Sequence, residues 1–326
     1  MNLLYQFIAA LLVLLLSSQV LPPFAVTLLT EVCILGLFAM SLDLMVGFAK
    51  LVSFGHAAAY GLGAYSCALL LLHTDIPLPL ALALAVVFTA VVAVGIAWVC
   101  TMATGISFAM LTLAFGQLFY AIVVKWASVT NGSDGLVGIS RTAGPFGWQG
   151  LASRDGFYLF CGVCLIAAYF ACRLLIMSPF GRVLIGIRDN EKKVTALGLN
   201  TRYYKISVIV VSYALGGLAG ALYVAFAKFA SPDLVYWPVS GQVLIMVILG
   251  GSGTLLGPII GAAFYMLVEY QLGIYTDAWA LILGSIFILS VIFMPKGIWG
   301  LVSKLGRLGR GSAESLEEKV AYEDRH

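Results

Sequence analysis

The sequence predicts an all-α, polytopic membrane protein with about 8–10 transmembrane helices, some of them interrupted. Of its 326 residues, 62% are hydrophobic and only 10% are charged, whereas soluble domains average about 45–50% and about 25%. The apolar residues form continuous runs instead of alternating with polar ones, which argues against a membrane β-barrel. This composition also argues against a soluble enzyme, a disordered protein and a nucleic-acid binder.

Ten apolar windows are the predicted spans. A helix that crosses a membrane needs about 20 apolar residues. The windows 58–72 and 238–250 are shorter, so we expect half-helices or re-entrant segments there, packed against protein. The first window has no Lys or Arg before it and no A-x-A-like site after it, which favours a first span over a cleaved signal peptide. The windows are residues 3–19, 25–47, 58–72, 79–99, 105–125, 157–177, 206–228, 238–250, 255–272 and 278–294.

The basic residues predict the orientation, because short cytoplasmic loops are rich in Lys and Arg. The loop 178–205 carries six basic residues, and four more fall within residues 296–310. Both segments are therefore predicted to be cytoplasmic, together with both termini, and the loop 126–156 is predicted to lie outside. This gives a transmembrane domain over residues 1–300 and a cytoplasmic charged tail over residues 301–326.

Two glycine-rich stretches indicate a possible internal repeat. Residues 47–65 and 249–265 each place glycines ahead of a small-residue helix that ends in an aromatic residue. Transporter folds often arise from duplications of this kind, with the substrate site at the interrupted helices. Chance similarity is the alternative in a chain with 35 glycines.

No catalytic, nucleotide-binding or metal-binding motif occurs in the sequence. It contains no P-loop, no H-E-x-x-H and no G-x-S-x-G, and its three histidines are scattered. Cys161 and Cys164 have x-x spacing but no second pair or nearby histidine, so we expect the cysteines to be packing thiols. The sequence thus predicts no catalytic residue, no metal and no cofactor in this chain, and no ATP hydrolysis of its own.

Some charges inside the predicted spans have a structural explanation. Arg173 and Lys228 lie near span ends, where a long side chain can reach the interface. Asp43 lies near the inner end of the second span, where it caps a helix or pairs with Lys50.

Glu31 and Glu269 lie deeper inside predicted spans. Charges within the membrane are costly and usually functional. These two acids bind substrate, carry protons or pair within the bundle, and the sequence leaves these alternatives open.

The segment 53–65 is the main candidate for a substrate path. Its glycines let helices approach closely and allow a break with exposed backbone amides. The N-terminus of such a half-helix can hold a carboxylate. Plain helix packing with an inner turn is the alternative. With the two deep acids, the candidate path residues are Ser53, Gly55, His56, Gly61, Gly63, Glu31 and Glu269.

Two loops are candidates for partner contacts. Residues 130–136 are rich in turn formers, and they either dock a soluble partner on the outside or form only a turn. In the loop 178–205, apolar residues alternate with charges, which is typical of an amphipathic helix across the inner face. That helix either docks a cytoplasmic subunit or rests on the membrane surface. Its apolar positions are Ile185, Ile187, Val194, Leu197 and Leu199.

Four segments carry a resemblance to a known family. They are DLMVGFAKLVSFGHAAAYGLGAY (43–65), TNGSDGL (130–136), GRVLIGIRDNEKKVTALGLNTRYYKISVIVVSYALGGLAGALY (181–223) and ILGGSGTLLGPIIGA (248–262). The chain resembles branched-chain amino-acid ABC transporter permeases from about residue 35 to 295, and within them the M-type subunit. The first segment matches the family pattern L-x-x-G-x-x-G-x-x-S-x-G-H-A-x-F-x-G-x-G-A-Y, except that Lys50 replaces the second glycine and Tyr60 the usual Phe.

The resemblance implies an importer in the bacterial inner membrane. In such an importer this chain pairs with a second, H-type permease, two cytoplasmic ATPase subunits use ATP, and a periplasmic substrate-binding protein delivers leucine, isoleucine or valine. Alternating access would be driven by the ATPases. Relatives carry urea, short amides or other amino acids, so these cargoes stay open. An ion-coupled secondary transporter that uses Glu31 or Glu269 is a further alternative.

The resemblance also places the ATPase-coupling loop at residues 181–198. The loop only loosely resembles the E-A-A-x-x-x-G coupling motif of other ABC permeases, and its spacing differs. The nearest matches are Glu191, Ala196 and Gly198. The candidate coupling residues are Gly181, Arg182, Arg188, Asn190, Glu191, Ala196 and Gly198.

Overall fold

The computed structural model describes residues 3–141, 149–275, 278–293 and 297–300. Its helices are α1 (Leu3–Val20), α2 (Pro23–Ala49), α3 (His56–His73), α4 (Leu78–Cys100), α5 (Ile106–Lys125), α6 (Ala127–Thr130), α7 (Arg154–Met177), α8 (Pro179–Ala196), α9 (Thr201–Ala227), α10 (Trp237–Gly250), α11 (Leu256–Tyr275) and α12 (Trp279–Phe293). Two short strands, β1 (Leu136–Val137) and β2 (Phe229–Ala230), pair antiparallel. The predicted tail 301–326 lies outside the described residues.

Each of the ten predicted spans coincides with a helix whose ends lie within five residues of the predicted ones. Within the described residues, α2, α4, α5, α7 and α9 are long and apolar enough to cross a membrane. In contrast, α10 has 14 residues and is about 21 Å long, less than the roughly 30 Å of a bilayer core. The prediction of an all-α polytopic membrane protein with interrupted helices is confirmed.

Helices α2 and α9 form the centre of the bundle. In their most apolar stretches 78% and 67% of the residues are buried, against 22% in α5 and α7. The two helices run antiparallel: Ser212 of α9 donates a hydrogen bond to the carbonyl oxygen of Ser41 of α2, and Tyr223, further along α9, interacts with Glu31, earlier in α2. Helices α5 and α7 therefore present mostly apolar, exposed faces at the periphery.

Helix α8 marks one end of the bundle, called the α8 end below. It follows α7 directly, and Arg173 near the end of α7 donates a hydrogen bond to Gln6 at the start of α1. Gly297 packs against Gly251 at the same end. The pairing of β1 with β2 places residue 136 beside residue 230, past the far end of α9. The start of α1 and residues 297–300 thus lie at the α8 end, and the β1–β2 pair lies at the opposite end.

The two central helices end in the same way. Lys50 follows α2 and Lys228 follows α9, both in the left-handed conformation, with φ of 56° and 57°. The sequences around them, VGFAKLVS (46–53) and VAFAKFAS (224–231), agree at five of eight positions. In this internal correspondence the end of α2 matches the end of α9. The predicted repeat of residues 47–65 with 249–265 relates other helices and stays a prediction.

Candidate functional site

Helix α3 begins in the middle of the bundle rather than at its end. After Lys50, residues 51–55 return along α2, and the ring of His56 then stacks on Phe38 at 5.3 Å. Phe38 lies near the middle of α2, and Gly216, beside the His56 ring, lies past the middle of α9. The start of α3 is therefore about halfway across the protein, as predicted for a half-helix.

Helix α10 begins beside the start of α3, and the two helices run in opposite directions. Ser240, in the first turn of α10, accepts a hydrogen bond from the backbone amide of Ala57 at 2.8 Å. Val235, just before α10, packs against Gly61, one turn further along α3, whereas the turn that follows α10 bonds to Asp43. Two helix N-termini thus meet at mid-depth. Because helix N-termini carry a positive partial charge, this place favours a carboxylate.

Five polar side chains surround this meeting point and form what we call the serine–histidine cluster. Ser53 accepts a hydrogen bond from the amide of Gly55 at 3.4 Å, and Tyr213 donates to the carbonyl oxygen of Gly55 at 3.4 Å. All five members are 0% exposed. The cluster is therefore covered by protein in this structure. Its members are Ser41, Ser53, His56, Ser212 and Ser240.

One atom of the cluster has no partner. The hydroxyl of Ser41 donates to the carbonyl oxygen of Phe38 at 2.7 Å, and it has only one proton to give. His56 Nε2, 2.8 Å from the same hydroxyl, must therefore carry the proton of that hydrogen bond. His56 Nδ1 is then an unprotonated acceptor, and it is buried without a hydrogen-bond partner among the described residues. Buried unpaired polar atoms are rare and call for an explanation.

The three predicted path glycines lie where the first part of α3 and the residue before it pack closely against neighbouring elements. A Cβ at Gly55 would lie 1.9 Å from the carbonyl oxygen of Thr112 on α5, and one at Gly61 would lie 2.3 Å from Cγ2 of Val235. A Cβ at Gly63 would lie 1.9 Å from a backbone oxygen of α9. All three therefore permit close packing, whatever part they play in a path.

The two deep acids form a separate group. Glu31 on α2 and Glu269 on α11 lie close enough to interact electrostatically, and Tyr223 on α9 interacts with both. Glu31 precedes Phe38 by seven residues, or about 10 Å along the helix. The structure thus brings the two acids together, but it places them away from the serine–histidine cluster, toward the end opposite α8.

Asp43 caps the start of α11. Its carboxylate accepts hydrogen bonds from the amides of Gly253 at 2.7 Å and Leu255 at 3.2 Å. The side chain is fully buried, and Lys50 is exposed. Of the two expectations for Asp43, capping is the one that the structure supports. A carboxylate at a helix N-terminus is stabilised by the free amides and the helix dipole.

Helix α8 is the predicted amphipathic helix. Ser178 caps its start at Pro179, and the Ser178 hydroxyl accepts a hydrogen bond from the amide of Gly181 at 3.4 Å. Arg182 is exposed. Leu197 and Leu199 lie past the end of the helix and are exposed, so their predicted place on its apolar face is wrong. The buried side consists of Gly181, Leu184, Ile187 and Val194.

A break within α8 was not predicted. Asn190 has φ −160° and ψ 95°, outside the helical region, and its side chain accepts a hydrogen bond from the amide of Lys193 at 3.1 Å. Asn190 therefore caps a second short helix, which ends at Ala196. Gly198 follows with φ of 81°, a conformation that glycine adopts without strain.

Two candidate coupling residues join α8 to the central helices. Arg188 donates a hydrogen bond to the carbonyl oxygen of Gly47, near the end of α2, at 3.1 Å. Glu191 lies 2.5 Å from Nζ of Lys205 and accepts a hydrogen bond from Thr201 at 3.1 Å, both on α9. Movement of α8 would therefore act on α2 and α9 directly.

The loop after α5 is fastened to the end opposite α8. Asn131, with φ of 60°, donates a hydrogen bond to the carbonyl oxygen of Gly135 at 2.9 Å, which closes a tight turn. Arg141 donates to the carbonyl oxygen of Ala225 at 2.7 Å and lies 3.9 Å from the centre of the Phe157 ring. Burial lowers the pKa of the Arg141 guanidinium, which stays a cation at neutral pH. The arginine thus caps the end of α9.

Sequence reasoning missed four residues of the site. Ser41, Ser212, Tyr213 and Ser240 lie in apolar helices and have no motif of their own. Polar residues inside predicted spans are the general signal. The recurrence of V-x-F-A-K-x-x-S marks the two places where a central helix ends, but it includes none of the four missed residues.

Comparisons with known proteins agree on one family. A family model described as the permease component of the branched-chain amino acid transport system matches residues 24–293. The high-affinity branched-chain amino acid transport system permease protein LivM of Escherichia coli (strain K12) is 26% identical over 299 residues, covering 85% of this chain and 70% of that protein. The protein of the same name from Salmonella typhimurium is 25% identical over 311 residues, covering 89% and 73%.

An archaeal relative matches a shorter part of the chain. The probable branched-chain amino acid transport permease protein LivM of Methanocaldococcus jannaschii is 28% identical over 164 residues, covering 43% of this chain and 46% of that protein. No solved structure gives a significant match.

Proposed function

This chain belongs to the family of branched-chain amino acid transport permease components, and we propose that it is the membrane-spanning permease subunit of an ABC importer for leucine, isoleucine and valine. It is a multi-pass membrane protein and a transport component. In the proposed importer it forms the translocation path with a second, H-type permease. ATP is used by two separate cytoplasmic subunits, and a periplasmic binding protein supplies the substrate.

The meeting of the N-termini of α3 and α10 is the observation that carries the proposal. A branched-chain amino acid is a zwitterion, so its carboxylate needs a polar partner inside the membrane. The hydrogen bond between Ala57 and Ser240 brings two positive helix ends together at mid-depth, and such ends bind anions without a charged side chain. Interrupted helices of this kind form the substrate sites of many transporters.

The unpaired acceptor on His56 fits a passing substrate. An ammonium group donates hydrogen bonds, and Nδ1 of His56 can accept one. Because the serine–histidine cluster is fully covered in this structure, substrate reaches it only when the packing around α3 opens. We infer that this opening and closing is the alternating access of the importer.

The α8 end is proposed to be cytoplasmic, in the bacterial inner membrane. The basic loop 178–205 supports this orientation, because positive residues concentrate on the cytoplasmic side. The ATPase subunits then dock on α8, and the bonds of Arg188 to Gly47 and of Glu191 to Lys205 transmit their movement to α2 and α9. The turn around Asn131 faces the periplasm, where it is available to the binding protein.

Reconstitution tests the proposal. The chain is placed in proteoliposomes with its partner permease and ATPases, and uptake of radiolabelled leucine is measured with the binding protein and ATP. We expect Ser240→Ala to lower uptake about two- to twelve-fold, since a hydrogen bond contributes about 0.5–1.5 kcal/mol and about 1.4 kcal/mol corresponds to a factor of ten. Ser285→Ala is the matched control, because Ser285 lies exposed on α12 and, among the residues that the structure describes, its hydroxyl bonds only to Leu281 of its own helix. Equal uptake by both variants would show that the mid-depth site is not part of the substrate path.

The cargo is tested in the same assay. Competition with valine, isoleucine, urea and acetamide separates the branched-chain amino acids from the other substrates carried by relatives. Strong competition by urea alone would assign the chain to a different cargo within the same mechanism.

One observation favours a second candidate function, an ion-coupled secondary transporter. Glu31 and Glu269 interact in the half-buried part of the bundle, where a pair of carboxylates can bind a proton or a cation. In that case the chain alone would drive leucine uptake in liposomes under a proton or sodium gradient without ATP. Uptake only with ATP and the ATPase subunits would exclude it.

A further inference from the structure

A cavity of about 630 Å³ lies at the α8 end, outside the serine–histidine cluster. It is bounded by α1, α7, the end of α2 and the start of α11. Sites for small organic ligands measure about 300–1,000 Å³, so the cavity is large enough for part of a lipid. Its wall includes Gln6, Phe48, Tyr169, Arg173, Leu255 and Trp299.

Arg173 is the only charged residue among the described residues that line this cavity. It donates a hydrogen bond to Gln6, which is neutral, and it forms no ion pair within the described part of the chain. A half-buried cation in an apolar wall is unfavourable unless an anion compensates it. The remaining guanidinium donors of Arg173 are thus available to an anionic ligand.

The depth and surroundings of Arg173 match those of a lipid phosphate. Arg173 precedes Met177, the last residue of α7, by four positions or about 6 Å. Leu174 and Met177, on the same stretch of α7, are 58% and 61% exposed, which indicates a surface that faces lipid. Arginine binds phosphate through paired hydrogen bonds, and basic pockets between transmembrane helices bind anionic lipid head groups.

We propose that this cavity binds one anionic phospholipid of the leaflet at the α8 end, with the phosphate on Arg173 and an acyl chain along the apolar wall. The cavity also touches Phe48 near the end of α2 and Leu255 in the turn capped by Asp43. A lipid bound here therefore contacts α2, one of the two helices that α8 holds, and transport is expected to depend on the anionic lipid content of the membrane.

Native mass spectrometry of the full-length chain tests the proposal. The protein, purified in detergent, is titrated with phosphatidylglycerol or with phosphatidylethanolamine. We expect tighter binding of phosphatidylglycerol, and a loss of about five-fold in its affinity on Arg173→Gln, in line with about 1 kcal/mol per basic residue near an anionic surface. Arg154→Gln is the matched control, because Arg154 is an exposed arginine at the other end of α7.

A second variant removes the space and keeps the charge. Ala10 lines the cavity, and Ala10→Phe is expected to weaken phosphatidylglycerol binding while Arg173 stays in place. Equal binding of both lipids, or unchanged phosphatidylglycerol affinity in both variants, would overturn the proposal. Equal affinity for inorganic phosphate and for phosphatidylglycerol would show an anion site without a lipid site, which also overturns it.

Discussion

Arg188 of α8 donates a hydrogen bond from Nη1 to the carbonyl oxygen of Gly47, in the last turn of α2, at 3.1 Å. The carbonyls of a last turn have no partner within their own helix, and a cation is favoured there by the helix dipole. One side chain thus links the proposed docking helix to α2, one of the two central helices. The family resemblance marked Arg188 as a candidate coupling residue, but it did not indicate the residue that Arg188 contacts.

Replacing Arg188 by Gln should uncouple the ATPases from transport. Hydrogen bonds of charged groups contribute about 1.5–3 kcal/mol, and about 1.4 kcal/mol corresponds to a factor of ten. We expect leucine uptake per ATP hydrolysed to fall about ten-fold in proteoliposomes, with normal membrane insertion. The control is Arg154→Gln, whose partner Asp155 lies at the opposite end. Normal leucine uptake per ATP in Arg188→Gln would show that this hydrogen bond does not couple α8 to transport.

The contact between Glu191 and Lys205 is suited to a double-mutant cycle. The Lys205 side chain is only 8% exposed, whereas that of Glu191 is 39% exposed. Glu191→Gln leaves the nearly buried cation of Lys205 unpaired, so it should destabilise the protein. In a Lys205→Met background there is no cation to leave unpaired, so the same Glu191→Gln substitution should destabilise the protein by less. We expect a coupling free energy of about 0.5–3 kcal/mol from thermal unfolding. Additive effects would mean that the two residues act independently.

Asp43→Asn should destabilise the turn before α11. The asparagine keeps one oxygen for the amides of Gly253 and Leu255, but it loses the charge that favours the helix N-terminus. We expect the free energy of unfolding to fall by about 1–3 kcal/mol. Asp75→Asn, at an exposed position between α3 and α4, should have little effect. A similar loss in both variants would contradict the capping role.

The close contact between Gly61 and Val235 predicts that substitutions at the two positions compensate each other. A Cβ at Gly61 would lie 2.3 Å from Cγ2 of Val235, a side chain with little freedom to move. Gly61→Ala should therefore lower the unfolding temperature, and adding Val235→Ala should recover part of it. Gly95→Ala is the control, because nothing lies within 4 Å of its Cβ position. There the change should stabilise the protein by about 0.5–1 kcal/mol.

Lys50 departs from the family pattern, which has glycine at this position. With φ of 56°, a residue with a Cβ is strained by about 1–2 kcal/mol. Lys50→Gly should therefore be more stable than Lys50→Ala by about 1 kcal/mol. Thermal unfolding of the two variants, side by side, measures the difference. Equal stabilities would show that the turn relaxes to another conformation.

Most helices could be predicted because their apolar runs are long and bounded by Pro, Gly or charged residues. The half-helix at α3 could be predicted too, since its window is short and begins with glycines. The kink at Asn190 could not, because an asparagine between charged residues is equally common on an exposed helix face. The prediction for Leu197 and Leu199 was wrong because the helix ends at Ala196, and helical periodicity does not apply to the residues after it.

The site was only partly predictable, because helix pairing depends on contacts distant in the sequence. Ser53 and His56 could be identified beside their glycines. Ser41, which bonds His56, and Ser240, which accepts from the amide of Ala57, lie 15 and 183 residues away from these partners, and no local pattern marks them. Glu31 and Glu269 could be singled out as acids inside predicted spans, and the structure leaves both half-buried. Nothing in the sequence indicated that they lie near each other and apart from His56.

The matching ends of α2 and α9 give the molecule an internal control. Lys50 and Lys228 share a backbone conformation and a surrounding sequence, yet one lies at the α8 end and the other at the opposite end. The same substitution at both positions changes the same local geometry twice. Any difference between the two variants in transport then reports the side of the membrane on which the change was made, with the conformational effect cancelled.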